Sequence, residues 1–452
     1  MIFKRKMYNR LLAWKRQAAG TKALLIEGAR RIGKSTLVEE FAKNEYRSYL
    51  LIDFNKVSDS VISAFNNYMN DLDTFFLILS SEYGVKLYPK ESIIIFDEIQ
   101  QFPKARQAIK YLVADGRFDY IETGSLISIK ENVKDITIPS EERTQLMYPM
   151  DFEEFAWAMN EEPLITYIRQ CFDKKVPLEQ GLHAKAMLLF RQYMIVGGMP
   201  KSLSAYLENN RSFEMADMEK RDILTLYRND IMKIKLGYRS SVLSIFDQIP
   251  TFLSRSERRV VMNRIEKGAS FPKYHDTFFW LSDSMIANEC FNCSDPNVGL
   301  SLNEDRTYVK CYMGDTGLLI SHTFDENEIS DGELYREILL GKLSVNEGMF
   351  YENVIAQMLV AAGHKLYFYT RYNEEKHRND MEIDFILSNH SKLKYKIFPI
   401  EVKSNDKYTI RSLIRFNESF HQRIGECYVI HPKNLCVKEG MVYLPAYMTF
   451  CL

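Results

Sequence analysis

The feature that most constrains this chain's fold is a glycine loop held between an apolar strand and a helix. Lys22-Ala23-Leu24-Leu25-Ile26-Glu27 reads as a short buried strand. Gly28-Ala29-Arg30-Arg31-Ile32-Gly33-Lys34-Ser35 follows at once, and Thr36–Ala42 continues at helical spacing. The order G-x-x-x-x-G-K-[ST] between strand and helix specifies a P-loop. Glycines let the backbone wrap an anion, while successive N–H groups and the helix N-terminus bind its charge. Lys34 is then expected on the β- and γ-phosphates of ATP, and the Ser35 hydroxyl on Mg²⁺. Residues 28–36, ending at Thr36, are the expected nucleotide cradle. The bland alternative is a ligand-free turn, and the strand–loop–helix context speaks against it.

The neighbourhood agrees. Tyr49–Phe54, Ser92–Asp97 and Phe118–Thr123 are apolar runs, and residues 60–80 and 104–115 have helical spacing. Continuous apolar strands alternating with helices predict a parallel sheet covered on both faces, in an α/β domain running to about residue 160. Asp97 ends one such strand and is the expected holder of the Mg²⁺ water shell. Glu98 is placed to polarise the attacking water. Thr123 or Ser125, at the end of the next strand, is a candidate γ-phosphate sensor or else part of a capping turn. Arg143 is the candidate arginine finger, against the plainer reading of a surface arginine.

A chain of 452 residues is long for one core. Three domains are expected: 1–160, 161–330 and 331–452. The net charge of −1 supplies no global field toward nucleic acid, so any such contact must be local. The seven cysteines are scattered, which suits a reducing cytoplasm, and Cys290, Cys293 and Cys311 lack a fourth zinc ligand. No apolar stretch of about 18 residues predicts a membrane span. Residues 161–290 read as mostly helical. Segments 242–255, 257–267 and 273–287, followed by a wing and Tyr308–Met313, predict a winged helix. Arg255, Arg258, Arg259, Arg264, Lys267 and Lys273 form a local basic excess that could neutralise DNA phosphates.

The last third carries a second constellation. A helix over 346–362 bears Glu352, and Glu382–Leu387 is a strand bearing Asp384. The strand Ile397–Lys403 places Glu401 and Lys403 on one face. The order E…D…E-x-K is that of a PD-(D/E)XK nuclease core. Asp384 and Glu401 would then hold Mg²⁺, and Lys403 would orient the attacking water. The alternative is a fold of this kind that binds but does not cut. Arg371 and Lys376–Arg378 are nearby candidates for a DNA backbone, or a solvated hairpin.

The P-loop, Phe96-Asp97-Glu98-Ile99-Gln100, Thr123-Gly124-Ser125 and Tyr148–Phe155 together resemble a prokaryotic family of AAA-type ATPases. Gly197-Gly198-Met199-Pro200 and Lys310–Gly317 also match it. The resemblance implies an ATPase core with strand order 5-1-4-3-2, a winged-helix segment and a restriction-endonuclease-like C-terminal domain, with assembly between subunits as an option. The family's Gly-Arg pair before the Tyr-Pro turn is here Glu142-Arg143.

Overall fold

The structure is a computed structural model that describes residues 1–125, 140–234, 236–255, 258–260, 271–325, 332–342, 347–373, 378–389 and 395–452. It divides into two compact units: Met1–Tyr148 with Asp283–Met285, and Pro149–Ser282 with Ile286–Leu452.

The first unit is built on five parallel strands: β1 (Ala23–Glu27), β2 (Ser48–Asp53), β3 (Ser92–Asp97), β4 (Asp119–Gly124) and β5 (Glu142–Leu146). Their order across the sheet is β2-β3-β4-β1-β5, which is 5-1-4-3-2 read from the other edge. Every residue of β1 and β3 is buried, as strands covered on both faces require. Ala23, Leu25, Ile94, Phe96 and Tyr120 pack on one face against α3 (Asp59–Asn67), α4 (Leu72–Tyr83) and α5 (Pro103–Asp115). α1 (Lys6–Gln17) precedes the sheet, and α2 (Lys34–Glu45) follows the glycine loop and lies against β2, β3 and β4.

Two departures from expectation have local causes. The helix expected over 60–80 is two helices, because the Asp71 carboxylate accepts the Thr74 N–H at 3.2 Å and starts a new one. The residues of β5, the fifth strand that the resemblance implies, are not marked by the apolar pattern. Its sequence Glu-Arg-Thr-Gln-Leu is polar and largely exposed, as a sheet edge allows, so it carries no apolar period.

The second unit begins with helices: α6 (Phe152–Ala158), α7 (Glu162–Lys174), α8 (Gln180–Val196), α9 (Pro200–Glu208), α10 (Phe213–Ile231), α11 (Leu236–Leu253) and α12 (Phe271–Asp283). Of the helix expected over 257–267, residues 258–260 are irregular and the rest, with Arg264 and Lys267, lie outside the described residues. β6 (Ala287–Cys293) and β7 (Glu304–Met313) form the expected hairpin. It is not a free wing, because the other edge of β6 pairs in parallel with β8 (Leu366–Asn373). With β9 (Arg378–Ile383) these make a four-stranded sheet, β7-β6-β8-β9, that bridges residue 330. α13 (Thr316–Thr323) and α14 (Gly332–Leu340) follow β7, and α15 (Glu347–Ala361) leads into β8.

The strand expected over Glu382–Leu387 is split between two sheets. β9 ends at Ile383 and β10 (Phe385–Asn389) joins a second sheet with β11 (Lys396–Val402). The break falls at Asp384, whose carboxylate takes the Val402 N–H at 2.8 Å in place of ladder bonding. That second sheet runs β10-β11-β12-β14-β13, with β12 (Cys427–His431), β13 (Cys436–Lys438) and β14 (Met441–Pro445). α16 (Arg411–Phe420) lies between β11 and β12 in the chain.

Candidate functional site

The glycine loop spans the turn from β1 into α2. An added Cβ on Gly28 would lie 2.3 Å from the Met147 carbonyl oxygen, so only glycine fits there. Gly33 precedes α2 in the left-handed region at φ 90°, which only glycine adopts freely. Lys34 is buried, and its Nζ donates to the carbonyls of Gly28 at 3.0 Å and Ala29 at 2.8 Å. Burial pushes its ammonium down to about 8, opposed by the charges of Glu98 and Asp97 and assisted by Arg30. Ile32 is fully buried, whereas Arg31 and Thr36 are exposed. Arg31 adopts φ 68°, an uncommon conformation for a residue with a Cβ.

β3 and β4 pair in parallel, Ile95 opposite Ile121, so Asp97 and Thr123, each two residues on, project from one face at adjacent strand ends. That face carries α2. The Ser35 hydroxyl donates to Asp97 Oδ1 at 2.7 Å, and the Thr123 hydroxyl donates to the same oxygen. Ser35, Asp97 and Thr123 are therefore one constellation. Thr123 thereby contacts the acid from the neighbouring strand end. Glu98 sits at φ 54° just beyond β3, where the Gln100 side-chain amide donates to its carboxylate. A non-glycine residue held left-handed at a strand end is the kind of strain found at functional sites.

Arg143 lies exposed on the edge strand β5, opposite Leu24. Glu142, where the resembling family has glycine, forms a two-bond ion pair with Arg106 of α5 at 2.8 and 3.0 Å, both side chains buried. The departure from the family pattern is thus an internal clamp on β5. Arg5 was overlooked in the sequence. It is buried and donates to the carbonyls of Ile32 at 2.8 Å and Tyr148 at 2.6 Å, fastening the loop to the turn after β5. An arginine ahead of the first helix gives no periodic signal that could have disclosed this.

In the second unit, Asp384, Glu401 and Lys403 line one pocket of about 460 Å³, together with Arg258, Glu382 and Ser404. Lys403 Nζ donates to Glu401 Oε1 at 2.7 Å. Glu401 Oε2 is buried without a hydrogen-bond partner. Burial, with Asp384 adding repulsion, pushes Glu401 up to about 8 against the pull of Lys403. Glu352 lies on α15, wholly buried, and is held by Lys310 at 3.3 Å, by the Tyr312 hydroxyl and by Arg258. Lys310 Nζ also lies 3.4 Å from Glu382 and 3.8 Å from Asp384. Among the described residues no group of three or more His, Cys, Asp or Glu side chains is placed to hold a metal ion. Lys310 stands beside Asp384, one of the two residues expected to hold Mg²⁺ with Glu401.

Three of the basic groups expected to meet DNA are engaged within the second unit. Arg258 pairs with Glu352, Arg259 lies over the Tyr308 ring, and Arg371 makes two 3.0 Å bonds to Asp380. Lys376 lies outside the described residues. Two motifs of the resemblance are packing devices. Asp315 accepts the Gly198 N–H at 2.5 Å and the Leu318 N–H at 2.9 Å, tying Gly197–Pro200 to the start of α13.

Residues 187–328 and 347–448 match two models described as Domain of unknown function (DUF8612) and Domain of unknown function (DUF4143). No curated protein matches the chain. Among solved structures, the Aeropyrum pernix ORC1 protein in complex with DNA is similar at 10% identity and a TM-score of 0.28, over 72% of this chain and 93% of that one. The CDC6p of Pyrobaculum aerophilum is similar at 10% identity and a TM-score of 0.27, over 72% of this chain and 94% of that one. Scores that low bear on neither fold nor function. No helix among the described residues is long and apolar enough to cross a membrane. Residues 20–156 match a family model described as AAA domain, and the sheet order and the glycine loop of that part of the chain fit a AAA-type P-loop α/β domain.

Proposed function

We propose that the protein binds ATP with Mg²⁺, hydrolyses it, and uses the nucleotide state to control what its second unit engages. The observation that carries this is the convergence of the Ser35 and Thr123 hydroxyls on one oxygen of Asp97 beside the Lys34 loop. The donor set suits a hard cation: a hydroxyl and a carboxylate, the oxygen ligands that Mg²⁺ prefers. Mg²⁺ bound there would neutralise phosphate charge. Residues 28–36 would hold the phosphates, with Lys34 supplying a buried positive charge and α2 its N-terminal N–H groups. Asp97, oriented by Thr123, would position the cation through Ser35. Glu98 would accept the proton of the attacking water. Asp97→Asn is expected to reduce Mg²⁺-dependent phosphate release from ATP by at least about tenfold, as for a lost charge-assisted contact. Release at the wild-type rate by that variant would remove the reading.

Lys34 supplies a second check. With its ammonium at about 8, the free site has lost roughly half its proton at pH 8. Triphosphate charge favours the protonated form, so binding at pH 8 draws a proton in. Titration calorimetry in buffers of differing ionisation enthalpy is expected to read an uptake of about half a proton at pH 8 and far less at pH 6.5. Lys34→Met is expected to abolish that difference.

For the second unit we favour the switch reading over the nuclease reading. The engagement of Glu352, Glu382 and Asp384 by Lys310 supports a pocket that binds without cutting. A DNA end and a partner protein are both open as its target, and a homo-oligomer is open for the ATPase. DNA incubated with Mg²⁺, with and without ATP, is expected to stay intact.

A further inference from the structure

The C-terminal carboxylate cluster has the makings of a cation site, and the cation is already in the chain. Lys310 reaches it from β7, entirely buried, with its Nζ between Glu352 of α15, Glu382 of β9 and Asp384 at the β9–β10 break, at 3.3, 3.4 and 3.8 Å. Its ammonium also lies 5.1 Å from the centre of the Phe368 ring, so one side is closed by an aromatic face. Arg258 takes Glu352, and Lys403 takes Glu401 at 2.7 Å. Four carboxylates thus meet three fixed positive charges within the second unit.

A divalent cation would need several of these oxygens at about 2.0–2.6 Å around one point. Lys310 occupies the point that Glu352, Glu382 and Asp384 share. Glu401 Oε2 is buried without a hydrogen-bond partner, and the Asp384 carboxylate is engaged by the Val402 N–H and by Lys310. A second cation entering beside Lys310 and Lys403 would meet like charges on two sides.

We infer that Lys310 is the resident cation of this carboxylate cluster and that it keeps divalent ions out. The inference is independent of the ATP site. It rests on a residue outside the E…D…E-x-K order, contributed from the other side of residue 330 and brought in by the β6–β8 pairing.

The test uses the nucleotide-free full chain and Mn²⁺ as the probe, with bound ion counted by electron paramagnetic resonance. The wild type and Asp384→Asn are expected to bind Mn²⁺ equally, since the pocket contributes no site to either. Lys310→Gln, which removes the charge and keeps most of the bulk, is expected to gain one Mn²⁺ per chain. The gain is expected to disappear again in the double variant with Asp384→Asn. A wild-type Mn²⁺ site that Asp384→Asn removes would overturn the inference, and so would a folded Lys310→Gln chain with no added site. If Lys310→Gln does not fold, the comparison of wild type with Asp384→Asn decides alone.

Discussion

Replacing Glu98 by Gln is expected to leave ATP bound and to slow its hydrolysis by roughly 10²–10⁴-fold, the range of a lost general base. The exchange is nearly isosteric. Glu98 starts a single turn, Ile99–Gln101, at φ 54°, and its carboxylate accepts the Gln100 amide. A glutamine carbonyl oxygen can accept that same bond, so the local fold has no reason to change. What disappears is the charge able to draw a proton from water. Lys34→Ala should give the complementary result. It removes a buried ammonium whose proposed contacts to phosphate would be of the charge-assisted kind, about 1.5–3 kcal/mol, so affinity is expected to fall roughly 10- to 100-fold. Equilibrium binding of a fluorescent ATP analogue and phosphate release, read on the same preparations, separate the two effects. Wild-type turnover by Glu98→Gln would remove Glu98 from its assigned role while leaving the P-loop untouched.

The contrast between the two ends of the chain explains what could be read in advance. At the P-loop every functional group lies at the end of a strand or the start of a helix, and those elements announce themselves through apolar runs. Asp97 and Thr123 meet because parallel strands in register end together, a regularity the sequence carries openly. Failures came where an element's identity depends on its neighbours. β5 is polar because it is an edge, so neither it nor the place of Arg143 on it carries an apolar signal. Arg5 acts through two carbonyls far along the chain, and side-chain-to-backbone bonds leave no period. In the second unit the E…D…E-x-K residues do line or border one pocket. The element that changes its chemistry, Lys310, is some forty residues ahead of Glu352 and reaches the cluster only through sheet pairing. A lysine on a half-apolar strand reads as solvated until the partner strands are known. The same pairing is why a hairpin with the look of a wing forms one end of a four-stranded sheet.

A fragment of residues 331–452 alone is expected not to fold. α15 is buried from Met349 to Leu359, and the partners of its polar face come from before residue 330. The Asn353 side chain takes the Met313 N–H at 2.8 Å and donates to the Thr316 hydroxyl at 2.9 Å. Gln357 takes the Thr316 N–H at 2.8 Å and donates to Asp315 and to the Tyr193 hydroxyl, each at 3.0 Å. Glu352, wholly buried, loses Lys310, Tyr312 and Arg258 together. The fragment then faces one of two costs. If α15 keeps its place, each polar group left buried without a partner costs about 1–3 kcal/mol, and the orphaned Glu352 charge about 3–5 kcal/mol. If α15 turns that face to water, Phe350 and Tyr351 lose their packing on Phe324 and Phe190, and β8 gives up its β6 edge. Either cost is comparable to the whole stability of a domain, about 5–15 kcal/mol. Residues 149–452, which keep β6, β7 and α8, are expected to unfold as one cooperative transition in urea. Residues 331–452 are expected to give no such transition and no protected amides in hydrogen exchange. A cooperative transition from the short fragment would mean that α15 and its sheets are sufficient by themselves, and that Lys310 is a late addition to a pocket already stable without it.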